Sequence, residues 1–224
     1  MFDRLIKIIG ETNLNKISSK KILLVGVGGV GSAALEALVR NGFNNITVID
    51  MDTIDISNLN RQLITNSDNI GSPKVKEAVL RAKTIRKDIL IEGIEKMLTS
   101  DDIDRLLDNN YDYIIDACDD VSVKYALIEK TLKKDTKLIT CLGTAKKLDI
   151  TKLSITSIDK TNYDPLARVL RHKLKVNHIN PKKIMVVSST EAPIKSEGLG
   201  SASFVPNAAG LLCVSFIFND IIKN

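Results

Sequence analysis

The 224-residue sequence predicts an α/β fold of the Rossmann-like, doubly wound type. Its mostly parallel sheet should be extended by strands from the carboxyl-terminal third and by a terminal helix. Apolar runs of strand length alternate with helical patterns, which indicates a parallel sheet covered on both faces. In addition, the glycine-rich stretch GVGGVG at 26–31 follows the first apolar run and opens into a helical pattern. Ligands of such folds bind beyond the carboxyl ends of the strands.

The predicted elements follow one another in regular order up to residue 148. Strands are expected at 21–26, 45–50, 88–95, 111–117 and 136–143, and helices at about 29–41, 72–86, 100–108 and 121–133. Beyond Leu148 two further strands, 149–158 and 182–189, flank a helix at 164–176. We therefore expect a core of residues 1–148 and an extension of the same domain at 149–224.

The last quarter of the chain holds a long loop and an apolar segment. Residues 192–206 are rich in Gly, Ser and Pro, and a loop of that length is more typical of function than of simple connection. The apolar stretch that follows is interrupted by Pro206, Asn207 and Asn219. A buried terminal helix is therefore expected rather than a membrane span.

Composition is that of an ordinary globular protein, with 44% hydrophobic residues, 26% charged residues and a net charge of +5. The three cysteines, Cys118, Cys141 and Cys213, lie far apart and form no C-x-x-C pair, so no structural zinc is expected. Sparse, unpaired cysteines and an amino terminus too weakly apolar for secretion predict a cytoplasmic protein.

The glycines of the first turn favour a nucleotide at the start of the first helix. Gly26, Gly28, Gly29 and Gly31 permit a tight turn and a close approach of the backbone to a phosphate or ribose. Asp50 ends the second predicted strand, where a carboxylate can bind ribose hydroxyls. These features alone suit a nicotinamide dinucleotide, or glycines that serve only close packing.

The segment that follows Asp50 points away from a nicotinamide cofactor. Its loop gathers Asn58, Arg61 and Gln62, and Lys74 begins the next predicted helix. Two cations and several amides in one place suit a triphosphate, whose charge needs guanidinium forks and an ammonium. The alternative is a solvated polar loop without a ligand.

Taken together, these motifs resemble a known family. GVGGVG, DMD (50–52), SNLNRQ (57–62), GSPKVK (71–76) and IIDACDD (114–120) are similar to the ubiquitin-activating-type adenylating enzymes, which include the bacterial activators of sulfur-carrier proteins. The similarity covers about residues 4–143 in order and spacing. It implies that residues 1–148 bind ATP, cleave it to pyrophosphate and convert a carboxylate to an acyl adenylate.

The resemblance also implies roles for single residues. Asp50 would bind the ribose of ATP, with Asp52 of the same motif beside the nucleotide. The phosphates would be contacted by Asn58, Arg61 and Lys74, with Gln62 next to them. Asp119 would bind Mg²⁺, whereas Asp116, at the end of the strand, is the weaker candidate and suits a loop cap. Arg4 would reach the ATP of a partner subunit, which predicts a homodimer.

The cysteine motifs that the chain lacks narrow the choice of the carboxylate that it could activate. Activators of sulfur carriers commonly keep two zinc-binding C-x-x-C pairs, and ubiquitin-type activators use a downstream cysteine nucleophile. Here no cysteine lies between Leu142 and Leu212, and Cys141 ends a predicted strand, which favours packing. Cys118 and Cys213 are expected in the core. A thioester relay is therefore not expected.

The carboxyl-terminal third resembles one branch of the family. YDPLARVLRHKLKV (163–176) and SSTEAP (188–193) are similar to the threonylcarbamoyladenosine dehydratases, which act on tRNA. This implies that the threonyl carboxylate of the modified adenosine is adenylated and that a nitrogen of the same side chain closes a ring, with net loss of water. Between Pro165 and Lys183 the chain carries six Lys or Arg and no acidic residue, which suits a phosphate backbone.

Three other interpretations stay open at this point. The chain could activate a small carrier protein that ends in Gly-Gly, having lost its zinc. It could be the non-catalytic half of a heterodimeric activator, although such a scaffold has no need for Arg61, Lys74 and Asp119. A nicotinamide oxidoreductase ranks last.

Overall fold

The computed structural model describes residues 1–223, and these form one mixed sheet of seven strands. The strands are β1 (Lys21–Val25), β2 (Asn45–Asp50), β3 (Leu90–Glu95), β4 (Tyr113–Asp116), β5 (Lys137–Cys141), β6 (Leu153–Ser157) and β7 (Met185–Ser189). Their spatial order is β3-β2-β1-β4-β5-β7-β6, and every pairing is parallel except that of β6 with β7. The predicted doubly wound fold is confirmed, including the added strands.

Seven α-helices are described, covering the sheet. They are α1 (Asp3–Ser18), α2 (Gly29–Arg40), α3 (Lys74–Ile85), α4 (Ile103–Leu107), α5 (Val121–Thr131), α6 (Pro165–Val176) and α7 (Phe204–Lys223). Only α1 has no counterpart in the sequence prediction. Its helical pattern is broken at Gly10, whose φ of 77° and ψ of 162° are not helical. A helix interrupted in this way gives a weak periodic signal.

The terminal helix α7 belongs to the core. It is long and apolar enough to cross a membrane by length and composition, which is weak evidence because core helices pass the same test. Here it packs on α2 and on the strands β5, β6 and β7. The two helices approach closely at Gly210, which has no side chain. A Cβ at this position would lie 2.3 Å from the Val30 carbonyl oxygen. This packing favours the predicted buried helix.

The switch in strand order positions the site. β2 and β3 lie on one side of β1, and β4 and β5 lie on the other, so consecutive crossovers diverge between β1 and β4. A crevice opens at the carboxyl ends of strands at such a point. The expected boundary at residue 148 falls in the loop after β5, and the sheet continues across it through the β5–β7 pairing. The division into core and extension stays a prediction.

Candidate active site

A cleft of about 510 Å³ lies at the carboxyl ends of β1, β2, β4 and β5. All but two of the site residues predicted from the sequence line it. The lining includes Gly26, Gly28, Gly29, Asp50, Asp52, Asn58, Arg61, Gln62, Lys74 and Asp119. Gly31 and Arg4 do not line the cleft. Gly31 is the third residue of α2, and Arg4 is exposed in the first turn of α1.

The glycine turn between β1 and α2 is required by close backbone contacts. Gly26 has a φ of +86°, and a Cβ there would lie 2.8 Å from the Ala117 carbonyl oxygen. A Cβ on Gly31 would lie 1.9 Å from the Gly26 carbonyl oxygen. The N-cap residue of α2, Gly28, has no side chain to satisfy the first amides of the helix. These amides and the helix dipole therefore form an anion-binding site at the cleft.

Asp50, the last residue of β2, is fixed by the backbone. Its Oδ2 accepts a hydrogen bond from the Val27 amide at 2.7 Å, and its Oδ1 accepts one from the Asp52 amide at 2.9 Å. A carboxylate has about four acceptor positions, so two hydroxyl groups can still donate to it. The side chain is thus oriented as a ribose ligand needs.

Lys74 is a buried cation at an unfavourable place for a cation. It is the first residue of α3, where the helix dipole opposes positive charge, and it is only 6% exposed. Its Nζ lies 2.7 Å from Oδ2 of Asp52, whose side chain is half exposed to the cleft. A phosphate is the natural further partner for such a lysine.

Arg61, Asn58 and Gln62 lie in the loop after β2. The Nη1 of Arg61 donates to the Ser57 carbonyl at 2.7 Å and to Oδ1 of Asn60 at 2.9 Å, while its Nε and Nη2 make no hydrogen bond among residues 1–223. The Oδ1 of Asn58 accepts from the Asp55 amide, and its Nδ2 makes one long hydrogen bond of 3.4 Å to Ser57 Oγ, which leaves a second N–H for other contacts. The buried Oε1 of Gln62 has no partner among the described residues.

The predicted metal ligand follows β4. Asp119 is exposed, lines the cleft and makes no hydrogen bond among residues 1–223. Asp116 is fully buried instead, and its Oδ1 accepts from Lys124 Nζ at 3.1 Å and from the Cys118 amide at 3.3 Å. Asp116 therefore holds the loop that carries Asp119, which agrees with a capping role.

Lys124 ties two strand ends together. Its Nζ also donates to the Cys141 carbonyl at 2.8 Å, so one ammonium links the ends of β4 and β5. Burial by itself would lower the pKa of Lys124, but the Asp116 carboxylate outweighs this and holds that pKa above its usual range. Lys124 is accordingly a charged residue in the core, and the sequence pattern gave no sign of it.

The cysteines are poor nucleophile candidates. Cys141 and Cys213 are buried, as expected. Cys118, expected in the core, is only partly buried and lines the cleft. A hydrogen bond from the Cys118 Sγ to Oδ1 of Asp116, at 3.1 Å, holds the thiol at this position. Burial and the neighbouring Asp116 charge raise the pKa of Cys118 well above its ordinary value, which disfavours a reactive thiolate.

Sequence reasoning missed several walls of the cleft. Met97 and Leu98 follow β3, Gly143 and Thr144 follow β5, and Leu166 lies in the first turn of α6. No motif marks these residues. They could have been predicted from their position, which is just after a parallel strand or at the start of a helix near the carboxyl ends of the strands.

The arrangement combines a helix amino terminus, a carboxylate held by backbone amides, two cations and an exposed carboxylate in one cleft. Apolar side chains at one end (Met51, Met97, Leu98) can pack on a purine base, and the cations can hold phosphates. The fold and the site thus define a nucleotide-binding α/β enzyme of the doubly wound class.

Comparison with known proteins narrows this class. The chain belongs to the ThiF family, whose sequence profile matches residues 2–166. It is similar to the tRNA threonylcarbamoyladenosine dehydratase of Bacillus subtilis, with 34% identity in an alignment of 235 positions that covers 96% of this chain and 92% of the relative. The molybdopterin-synthase adenylyltransferase of Haemophilus influenzae is 31% identical over 123 residues, which cover 55% of this chain and 50% of the relative.

A solved structure agrees over nearly the whole fold. The Escherichia coli tRNA N6-threonylcarbamoyladenosine dehydratase in complex with ATP superposes with a TM-score of 0.94 at 33% identity. The match covers 99% of this chain and 93% of that one. The similarity therefore includes the extension β6–α6–β7 and α7, not only the nucleotide-binding strands.

Proposed function

We propose that this protein is an ATP-dependent dehydratase acting on N6-threonylcarbamoyladenosine in tRNA. It adenylates the threonyl carboxylate, and a nitrogen of the same side chain then displaces AMP and closes a ring, with net loss of water. The observation that carries this proposal is the extent of the similarity. Dehydratases match the chain from end to end, including the extension, whereas a carrier-protein adenylyltransferase matches about half of it.

The nucleotide is assigned to the β1–β3 side of the cleft. Asp50 accepts the ribose hydroxyls, and Met97 and Leu98 pack on the adenine. The amides of Gly29 and Val30 at the start of α2 then face the α-phosphate. In the absence of ATP, Asp52 orients the Lys74 ammonium through their ion pair.

Arg61 and Lys74 stabilise the charge that develops when the bond between the α- and β-phosphates breaks. The free Nε and Nη2 of Arg61 suit a two-pronged contact with phosphate oxygens. The amides of Asn58 and Gln62 add neutral donors beside them. Preorganised donors of this kind act where negative charge builds up in the transition state.

Asp119 fits a magnesium site completed by the substrate. Mg²⁺ is usually held by one or two carboxylates together with phosphates and waters. An exposed carboxylate without a partner at the phosphate end of the cleft suits that role, and no cluster of three or more ligating side chains is found among residues 1–223. When bound, the ion would neutralise charge on the leaving pyrophosphate.

No thioester is needed for the second step. The attacking nitrogen belongs to the same substituent as the activated carboxylate, and reactions held together in this way proceed at very high effective concentration. The chain's part is to orient the group and exclude water. The raised pKa of the partly buried Cys118 thiol and of the buried Cys213 thiol agrees with a mechanism that does not use them.

The tRNA is assigned to a basic face that begins at the cleft. Leu166 of α6 lines the cleft, and Arg168, His172 and Lys175 follow on the exposed side of the same helix. We call Arg168, Lys175, Lys182 and Lys183 the α6 basic face; all four are exposed. Arg171, counted with these residues in the sequence, is turned inward and donates to the Thr161 carbonyl and hydroxyl groups, so it is excluded.

Assembly and compartment follow from the same proposal. Arg4 lies outside its own cleft, as expected of a residue that serves a partner subunit, and we propose a homodimer in which it reaches the partner's ATP. We propose a cytoplasmic location, which a tRNA substrate and the three free cysteines support. We expect no structural zinc.

The experiment that tests the proposal compares carboxylate substrates. Purified protein with ATP and Mg²⁺ is offered tRNA carrying threonylcarbamoyladenosine, the same tRNA without the modification, or a small carrier protein ending in Gly-Gly. We expect AMP release with the modified tRNA alone. AMP release only with the carrier protein would replace the proposal with the sulfur-carrier alternative.

A further inference from the structure

Three charged side chains hold the loop after β5, and no step above uses them. This β5 loop, residues 143–149, receives contacts at both ends. Asp164 accepts the Gly143 amide at 2.8 Å, and Lys147 Nζ donates to the Gly143 carbonyl at 3.1 Å. Glu191 accepts the amides of Leu148 at 3.0 Å and Asp149 at 2.9 Å.

Lys147 is an unusual member of this group. It is 3% exposed, and its hydrogen bond to the Gly143 carbonyl is the one its ammonium makes among residues 1–223. Burial lowers the pKa of Lys147, and the nearby carboxylates of Asp164 and Glu191 offset this only in part. Burying an amine costs free energy of folding unless it is paired with a charge and hydrogen-bonded.

The loop itself is strained and supported from outside. Lys146 has a φ of 60°, which non-glycine residues rarely adopt. Its amide donates to the Gly200 carbonyl and its carbonyl accepts from the Ile194 amide, so the loop at 192–203 fixes it. This strain turns the chain so that Lys147 points inward beneath Gly143. Strained backbone that the surroundings maintain is common at functional sites.

Strand order puts the β5 loop at the far end of the cleft from the adenosine. The carboxyl ends stand in the order β3, β2, β1, β4, β5. Asp50 and Met97 lie on the β2–β3 side, Asp119 follows β4, and Gly143 and Thr144 follow β5. The group that attacks the α-phosphate must therefore come from the β5 side. There Thr144 lines the cleft, and the Thr144 and Ala145 amides have no hydrogen-bond partner among residues 1–223.

We propose that the β5 loop is the binding site of the threonylcarbamoyl group and that Lys147 is the residue that positions it. Through Gly143, Lys147 fixes the peptide groups on which Thr144 is presented to the substrate. The loop supplies neutral donors to a substituent rich in carbonyl and carboxylate oxygens. This inference rests on the proposed function, because it names the part of the cleft that holds the nucleoside.

The test separates the two ends of the cleft. Lys147→Met removes the donor at nearly constant length, and Lys147→Gln keeps a donor without the charge. Thr144→Val alters the wall directly and leaves the buried lysine in place. Lys160→Met, at an exposed lysine outside the cleft, is the control. For each variant, ATP affinity is measured by calorimetry, and kcat and KM for ring closure are measured with modified tRNA.

We expect Lys147→Met and Thr144→Val to reduce kcat/KM for the tRNA by about 10- to 100-fold, because a small displacement of a reacting group has that effect. ATP affinity should stay within about twofold of wild type, since one lost contact to the nucleotide would already change it by more. Lys147→Gln should recover part of the loss, and Lys160→Met should show none.

Two results would overturn the inference. If ATP affinity falls in step with turnover, the loop serves the nucleotide or the fold as a whole. If Thr144→Val and Lys147→Met both turn over modified tRNA at the wild-type rate, the loop does not hold the substrate. A wild-type enzyme that leaves the nucleoside unchanged contradicts the proposed function itself, and the inference falls with it.

Discussion

The buried Lys124–Asp116 pair offers a sharp test of how the site is held together. Both side chains are 0% exposed, and their charged atoms lie 3.1 Å apart. Lys124→Met keeps the length of the side chain and removes the ammonium. It leaves a buried carboxylate whose remaining donors are the amide and the thiol of Cys118, and it leaves the Cys141 carbonyl without its donor.

The expected loss of stability is large because the Asp116 carboxylate and the Cys141 carbonyl oxygen are buried, so water cannot replace the lost donor. Breaking a buried ion pair on one side costs about 3–5 kcal/mol. For a chain of this size, that loss lowers the melting temperature by roughly 6–20 °C. Total stabilities are about 5–15 kcal/mol, so the variant should still fold at low temperature.

Urea unfolding measures this directly. The matched control is Lys130→Met, which removes a surface pair with Asp104 of 2.7 Å separation and should cost far less stability, because solvent screens exposed ion pairs. Adding Asp116→Asn to Lys124→Met removes the stranded charge and should restore part of the loss. A Lys124→Met cost as small as the control, or a double variant no better than the single one, would refute the argument.

The same pair predicts a dependence on alkaline pH. The folded pKa of Lys124 is raised above its value in the unfolded chain, which is about 10.4. The pair therefore contributes its full stability below that pH and loses it as the pH rises through the folded value. Wild type should lose its stability advantage over Lys124→Met in that range and not at neutral pH.

Three further predictions concern the cleft and the tRNA. Arg61→Ala should fold normally, because its contacts are to its own half-exposed loop, and should lose about 10³-fold or more in AMP formation. Gly31→Ala should cost about 3 kcal/mol or more in thermal unfolding, since its Cβ would lie 1.9 Å from the Gly26 carbonyl oxygen. Binding of tRNA should weaken about 50- to 150-fold between 50 and 200 mM salt if the α6 basic face contacts about four phosphates.

Each of these has its own control. Arg105→Ala, an exposed arginine outside the cleft, should keep full turnover, and near-wild-type AMP formation by Arg61→Ala would contradict the phosphate assignment. Gly200→Ala has open space around its Cβ and should be neutral. A shallow salt dependence, unchanged when Lys175 and Lys182 become Ala, would remove the basic face as the tRNA site.

The sequence predicted the fold well because the central strands β1, β2 and β4 are buried on both faces. β1 and β4 read as continuous apolar runs, and the glycine turn locates the start of α2. The helix α1 escaped prediction because Gly10 interrupts its pattern. The polar residues of the loop after β2 could be found because their chemistry is concentrated in one short segment.

The rest of the site depends on tertiary contacts that no local pattern reveals. Lys124 and Lys147 are buried lysines on a helix and in a loop. Lys124 bonds to the ends of two strands, and the carboxylates near Lys147, those of Asp164 and Glu191, come from distant parts of the sequence. Arg171 belongs by sequence to a basic run, yet it bonds inward to Thr161. The walls at Met97 and Thr144 are ordinary residues whose significance comes only from the strand ends that precede them.

Mass analysis of nucleosides released from tRNA after incubation with the enzyme, ATP and Mg²⁺ is the most direct test of the proposed activity. We expect that threonylcarbamoyladenosine loses the mass of one water, that AMP forms in equal amount, and that Arg61→Ala abolishes both changes. An unchanged nucleoside in the presence of active, ATP-binding wild-type enzyme would contradict the central claim.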